Sequence, residues 1–420
     1  MKTPKIIYLT LLSLLLAFAG CDDDDYVASV TELRLVRVAP TSGYAGDIVR
    51  ILGRNFSVNY GENTVTINGK QAKVLDIAKD ELSVVMPANE PGSYPIRVET
   101  PAGEIEGLAF KYNVQPEKEY YVTTVAGSGK FGCDDGVGGA ATLQNPEGLN
   151  YDKDGNIWIV QRGTFAIRRM NAAYSITTIC TSSLLNYPWQ GAFDSKWDYY
   201  VANKSGNDIL KVTADGACTR SEISGAKFNN PMCLIFDPAD NMYIANRNGN
   251  EVLKVVGGAV VGRYAVPMPE SLAFDAQGRI IVGTNNAYNL YMIAPDGTVS
   301  VIAGYGVKPT GLNYSDGEAG DLASATIGMV GGIFCATDGC IYFTDRTAFT
   351  VRKLTPAADG DYAAGKIETI AGVPGSAAVA DGYGNAAKFL YSAGIVVSND
   401  CTEIHVADGS GHRIRRLKLR

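Results

Sequence analysis

The segment NPEGLNYDKDGNIWIVQRGTFAIRRM at 145–170 constrains the chain most, because five related segments follow it, opening at Pro188, Pro231, Pro269, Val330 and Ser392. Each reads as three strands. In the first copy an apolar run at 148–151 ends in a turn at 152–155, an alternating strand covers 156–160, and a polar turn leads to a third strand at 166–170. A fourth strand lies between the units, at 176–180, 219–223, 259–266, 298–303 and 367–371. Its sixth copy, 122–126, stands ahead of the first unit.

Four short strands in each repeat of roughly 40 residues predict an all-β architecture, a six-bladed β-propeller. The chain then starts on the outer strand of one blade and ends on that blade's third strand. Pairing 122–126 with the C-terminal blade closes the ring and leaves few exposed sheet edges. The repeated residues resemble the NHL-repeat family, whose units read Pro-x-Gly-apolar, then Asp, then Gly-x-apolar-Tyr-apolar-Ala-Asp/Asn, then Asn-x-apolar. The copy from Pro231 to Val255 matches best. The fourth copy lacks the aromatic of the second strand, and the last two lack the opening proline. The resemblance implies an NHL-like propeller over 121–420.

Ahead of it, 28–113 consists of short alternating strands broken by Gly and Pro, which predicts a small β-sandwich. Pro40, Gly43 and Gly46, then Val49 to Phe56, Val65 to Ala72, Leu82 to Pro87, Gly92 to Val98 and Phe110 to Tyr112 resemble the IPT/TIG domain, an immunoglobulin-like fold. No cluster of acids, histidines or nucleophiles appears there, so the domain reads as a spacer. Residues 114–120, with Pro116, form the linker.

At the N-terminus, 6–19 is an apolar run behind Lys2 and Lys5, too short for a membrane span and suited to a signal peptide at 1–20. Phe18, Ala19, Gly20 and Cys21 resemble a bacterial lipoprotein cleavage site, with Phe18 where Leu is usual. The resemblance makes Cys21 the lipidated first residue. Asp22 to Asp25 follow, a charge run that serves as a solvated tether over 21–27. An acidic cluster in this place resembles the export signal of Bacteroidota-type surface lipoproteins. The implied location is the outer membrane, facing outside, with a periplasm-facing lipoprotein as the alternative.

The formal charge of −7 includes those four aspartates, and no Lys/Arg tract exists, so nucleic acid is a poor partner. The membrane is met only through the lipid. Seven cysteines besides Cys21 are irregularly spaced and do not form a disulfide framework; only Cys335 and Cys340 could face each other, across a tight turn. No Cys-x-x-Cys or His cluster suggests zinc.

In a four-stranded blade the second-to-third turns share one face with the loops that join consecutive blades. The starts of the inner strands put Glu147, Trp189, Met232, Glu270, Gly331 and Ala393 beside the central channel on that face. The turns bring Arg162, Lys204, Arg247, Asn285, Arg346 and Gly409, and three residues on come Phe165, Asn207, Asn250, Tyr288, Phe349 and His412. The expected ligand-binding set is Glu147, Trp189 and Glu270 at the mouth, Arg162, Lys204, Arg247 and Arg346 around it, and Phe165, Tyr288, Phe349 and His412 on the ring outside. Aromatic faces stack on sugars and long polar side chains bond hydroxyls, so Trp189, Phe165 or Phe349 exposed over a groove would suit a polysaccharide or oligosaccharide, above all an acidic one. Turns also favour Arg and Lys for solubility, and Asn for capping.

Three long inter-blade loops, 127–144, 304–326 and 372–388, each hold an Asp-Gly pair: Asp135, Asp316 and Asp381 head them. Asp134, Asp135, Asp316, Asp321 and Asp381 lack calcium-loop spacing, so turn chemistry explains them best; no cofactor is expected, with calcium as the alternative. His405 stands where other blades carry Trp158, Tyr200, Tyr243 and Tyr342 and reads as core. Lyases on NHL-type scaffolds need several histidines. A calcium-dependent lactonase-like hydrolase would use Glu147 and Glu270, without the Asn or Asp of that class at the matching positions. Three blades separate the two glutamates, which predicts a gap too wide for a glycosidase pair. The leading expectation is a non-enzymatic surface glycan-binding lipoprotein near an outer-membrane uptake system. A propeller that docks on a transporter or another surface lipoprotein is the alternative.

Overall fold

The computed structural model describes residues 32–113, 119–309, 314–384 and 386–420. The expected signal peptide, Cys21, the acidic tether and linker residues 114–118 lie outside the described residues. The chain divides into two compact units between Glu117 and Lys118.

In the first unit, strict alternation decides which side of each strand is buried. Along Ile48–Arg54 the residues Val49, Ile51 and Gly53 point inward while Arg50 and Arg54 face out. This strand lies between Arg34–Ala39 and Glu81–Val85, with Lys73–Ile77 beyond. A second sheet carries Gly103–Tyr112, Gly92–Thr100 and Thr64–Ile67. Ile51, Ile67, Leu82, Ile96 and Phe110 form the core, all fully buried. At Gly53 a Cβ would fall 2.3 Å from the ring of Phe56, so glycine lets that ring close the sandwich.

The second unit is six sheets in a propeller-like array. The first runs Pro146–Tyr151, Ile157–Gln161, Ala166–Met170 and Ser175–Cys180 from inner to outer strand. Four more follow the same order, their inner strands being Pro188–Phe193, Pro231–Phe236, Pro269–Phe274 and Val330–Cys335. The sixth holds Ser392–Val397, Glu403–Asp408 and Arg413–Leu419, and its outer strand is Tyr120–Ala126, with Val122 opposite Leu417 and Thr124 opposite Arg415. Consecutive inner strands lie side by side, the sixth beside the first as well. They approach closely: a Cβ on Gly148 would lie 2.9 Å from Trp189 O, and one on Gly394 2.2 Å from Glu147 O.

The repeat's polar residues hold the entry of each sheet in place and, at the second-to-third turns, tie one sheet to the next. At the end of the second strand Gln161, Asn203, Asn246, Thr284, Asp345 and Asp408 are fully buried. Asn203 accepts the Asn186 amide at 2.6 Å, Asn246 that of Asn229 at 2.8 Å, and Asp345 that of Gly328 at 2.8 Å. Burial pushes the carboxyl groups of Asp345 and Asp408 up, against the pull of Arg352, Arg415 and backbone amides. The position of Phe165, Asn207, Asn250, Tyr288, Phe349 and His412 has positive φ in every sheet. Three of these side chains accept a backbone amide at the start of the next sheet: Asn207 from Asn230, Asn250 from Met268, and His412 Nδ1 from Asn145 at 3.2 Å.

The three long loops share one device. Asp135, Asp316 and Asp381 each pair with a fully buried arginine of the third strand, Arg168, Arg352 and Arg415, at 3.0, 2.7 and 2.8 Å. Each also accepts a threonine hydroxyl of the outer strand, Thr178, Thr369 or Thr124. Turn chemistry alone was expected for these aspartates; they are anchors that tie loop, third strand and outer strand together.

His405 is buried opposite Val396, its ring near the Tyr151 hydroxyl. Burial pushes its pKa down to about 4. Cys335 and Cys340, which could have faced each other, are thiols in separate core clusters.

Candidate functional site

The mouth of the array on the turn face is built by side chains from five sheets. Arg346, on the turn after Ile341–Asp345, crosses it: Nη2 donates to Glu147 Oε2 at 3.1 Å and Nη1 donates to Glu270 Oε1. Arg162 Nε sits 2.9 Å from Glu147 Oε1, Arg247 Nη1 3.4 Å from Glu270 Oε2, and Asn285 donates to the same oxygen at 3.3 Å. Both carboxylates and Arg346 are shut off from solvent. Burial pushes the Glu147 carboxyl up, against the pull of Arg346 and Arg162.

This corrects three expectations. Glu147 and Glu270 were expected as open ligand-binding groups at the mouth; one guanidinium bridges them. That guanidinium fills the space a substrate would need, so the pair forms a closed ion network. Trp189, expected as an open stacking surface, is 3% exposed. Cations cover its ring: Lys204 at 4.5 Å, Arg346 at 5.1 Å and Arg162 at 5.2 Å from the centroid. His412, also placed in the ligand-binding set, is buried behind Phe131 and spends Nδ1 on Asn145. Phe165, Tyr288 and Phe349 are partly exposed.

Four cations, Arg162, Lys204, Arg247 and Arg346, meet two carboxylates, which leaves an excess of positive charge. Lys204 is half-buried over Trp189 and Tyr187, with no carboxylate at ion-pair distance among the described residues. Burial, then Arg247, pushes its pKa down. Among the described residues three further polar atoms here are buried without hydrogen-bond partners: Trp189 Nε1, Arg346 Nε and Ser271 Oγ. Such atoms need water or a ligand's polar groups.

The exposed aromatics of this face come from residues outside the repeat: Phe131, Tyr187 and Tyr305. Tyr187 lies 5.3 Å from Phe165 and 5.9 Å from Lys204 Nζ. It directly precedes Pro188, where the other sheets carry Asn145, Asn230, Met268, Met329 and Tyr391, so the signal that could have marked it is a tyrosine in two of the six copies. The long loops stand at the junctions of the fourth with the fifth sheet, the fifth with the sixth and the sixth with the first. Lys204 and Tyr187 lie on the side with short loops.

Deeper in the channel Gln190 Nε2 donates to Gly331 O of the opposite sheet at 2.5 Å. Beyond it, toward the first-to-second hairpins, lies a cavity of 480 Å³ bordered by Tyr151, Phe193, Trp197, Phe274 and Phe334.

Fold and site together define an all-β protein that joins an IPT/TIG domain to a propeller-like array. The IPT/TIG family model matches residues 33–113. No curated protein matches the chain. Among solved structures it is similar to a structural genomics protein of unknown function from Bacteroides thetaiotaomicron VPI-5482, 21% identical, TM-score 0.60, covering 93% of this chain and 99% of that one. It is also similar to a protein from Bacteroides ovatus ATCC 8483 called an auxiliary nutrient binding protein, 18% identical, TM-score 0.60, covering 93% and 98%. A Bacteroides thetaiotaomicron protein with the same description is 18% identical, TM-score 0.60, covering 92% and 97%. At these identities the shared property is the fold.

Proposed function

We propose that this chain is a non-enzymatic surface lipoprotein that binds an acidic glycan on the turn face of a closed, six-bladed, NHL-like propeller. Lipidation at Cys21 would hold it in the outer membrane facing outside, and the acidic tether and IPT/TIG domain would give it reach, near an uptake system. The observation that carries the reading is Lys204, a half-buried ammonium with no carboxylate at ion-pair distance among the described residues, set between buried Trp189 and exposed Tyr187. A sugar ring on Tyr187 would bring its carboxylate to Lys204 and so offset the excess positive charge of the mouth. The two glutamates are committed to Arg346, which supports binding over catalysis. The description of two similar structures as auxiliary nutrient-binding proteins agrees with this reading.

Affinity electrophoresis of the soluble chain from Tyr26 onward, against plant, host and microbial polysaccharides, tests it. Wild type runs beside Lys204→Gln and Tyr187→Ala. Retardation by an acidic glycan that Lys204→Gln abolishes supports the reading. Free migration of wild type in every gel sinks it and puts protein docking first.

A further inference from the structure

We propose that the cavity at the other end of the channel is a separate binding site for a neutral sugar chain, with Trp197 as its stacking platform. The Gln190–Gly331 crossing and the Arg346 network lie between it and the Lys204 face, and it does not depend on the acidic-glycan reading.

The lining sets the ligand class. Its 480 Å³ falls within the range of ligand pockets, ~300–1,000 Å³. Aromatic rings from five side chains border it, with the neutral amides of Asn150, Gln190 and Asn399, of which Asn150 Oδ1 accepts the Tyr199 hydroxyl and Gln190 Nε2 donates to Gly331 O. Among the described residues no lysine, arginine or histidine lines it. Its one carboxylate, Asp194, spends Oδ1 on the amides of Lys196 and Asp198. Aromatic faces with neutral donors and acceptors suit a pyranose without charge; an anionic sugar would meet no counter-ion.

Trp197 supplies an independent observation. It occupies the left-handed position of the first-to-second hairpin, at φ 64°, where the other sheets have Gly155, Asp240, Gly278, Gly339 and Cys401. That conformation favours glycine and is disfavoured for an L-residue. The ring packs on Phe193 at 5.6 Å, stays 45% exposed and lines the cavity, so a large aromatic face is left open at a turn position that elsewhere carries a smaller side chain or none. The hairpin is also braced, because Ser195 donates its amide to Asp240 of the next sheet at 2.8 Å. The ring is therefore presented on a fixed support, as a stacking site requires.

Tryptophan emission tests this directly. Of the three tryptophans, Trp158 and Trp189 are buried, so the iodide-accessible signal belongs to Trp197. The soluble chain from Tyr26 onward is titrated with cello-, xylo-, manno- and malto-oligosaccharides, and with oligogalacturonate in parallel. The expected result is a blue shift and protection from iodide with one neutral series. By calorimetry Trp197→Gly should bind that series at least about tenfold more weakly, while Trp197→Phe retains most of the affinity. Unchanged melting of Trp197→Gly, whose new residue suits the turn, shows that the fold is intact. Three results overturn the proposal: no response to any neutral series, wild-type affinity in Trp197→Gly, or protection of Trp197 by oligogalacturonate alone. A response to the neutral chain without one to the acidic chain, or the reverse, separates this site from the Lys204 face.

Discussion

The guanidinium of Arg346 donates to the carboxylate of Glu147 at 3.1 Å, joining residues 199 positions apart on sheets that have the sixth sheet between them. With Glu270 on its other nitrogen, Arg346 is the buried cross-brace of the mouth. Removing one partner of a buried ion pair leaves the other charge desolvated and alone, at a cost of about 3–5 kcal/mol. Arg346→Met should destabilise the second unit by that order, read as a lower urea midpoint. Adding Glu147→Gln and Glu270→Gln should recover much of the loss. A single substitution without effect would show that the three groups do not act as a unit.

Acid should weaken the fold through His405. Burial holds its pKa at about 4 in the folded state against 6.5 ordinarily. As pH falls below about 6.5 the unfolded chain takes up the proton first. The stability is thus fully present above that value and is lost down to about pH 4, about 3 kcal/mol in all. His412 adds a loss of the same sign, because its pKa is also pushed down and a proton on Nδ1 would displace the Asn145 amide. His405→Tyr, the residue of three sibling positions, should have a flatter stability profile across this window than wild type. Parallel profiles would refute the assignment.

The aspartate anchors should be separable from the rest of the array. Asp316 accepts the Thr369 amide at 2.8 Å as well as the Arg352 guanidinium. In Asp316→Ala, hydrogen exchange should speed up at Thr369 and through the loop 314–326, while Met242–Asn246 in the third sheet keeps its protection. Uniform acceleration would mean that the anchor supports the whole unit.

Much of the strand order was legible because the repeat is a backbone signal: a strand ends where Asp-Gly or Pro says it must, and the sibling positions that marked His405 as core did so by register. The wiring of the mouth was not. Nothing local tells Arg346 that Glu270, 76 residues back, and Glu147 will lie within its reach, so Trp189 and both glutamates read as open when they are closed. The anchors were hidden for a related reason, since Arg168, Arg352 and Arg415 look like exposed strand residues until a loop more than twenty residues away covers them. Phe131, Tyr187 and Tyr305 escaped because they fall just outside the repeating unit. Trp197 sat in plain view at a glycine position, and its value emerged only when the cavity beside it was seen.

The most direct test of the central claim compares one sugar chain with and without its charge. Calorimetry would titrate the soluble chain with oligogalacturonate and with the same oligomer fully methyl-esterified, for wild type and Lys204→Gln. The account predicts binding of the free acid that weakens as salt is raised, at least about tenfold weaker binding of the ester, and the same loss in Lys204→Gln. Equal affinity for acid and ester, or wild-type binding in Lys204→Gln, would contradict it.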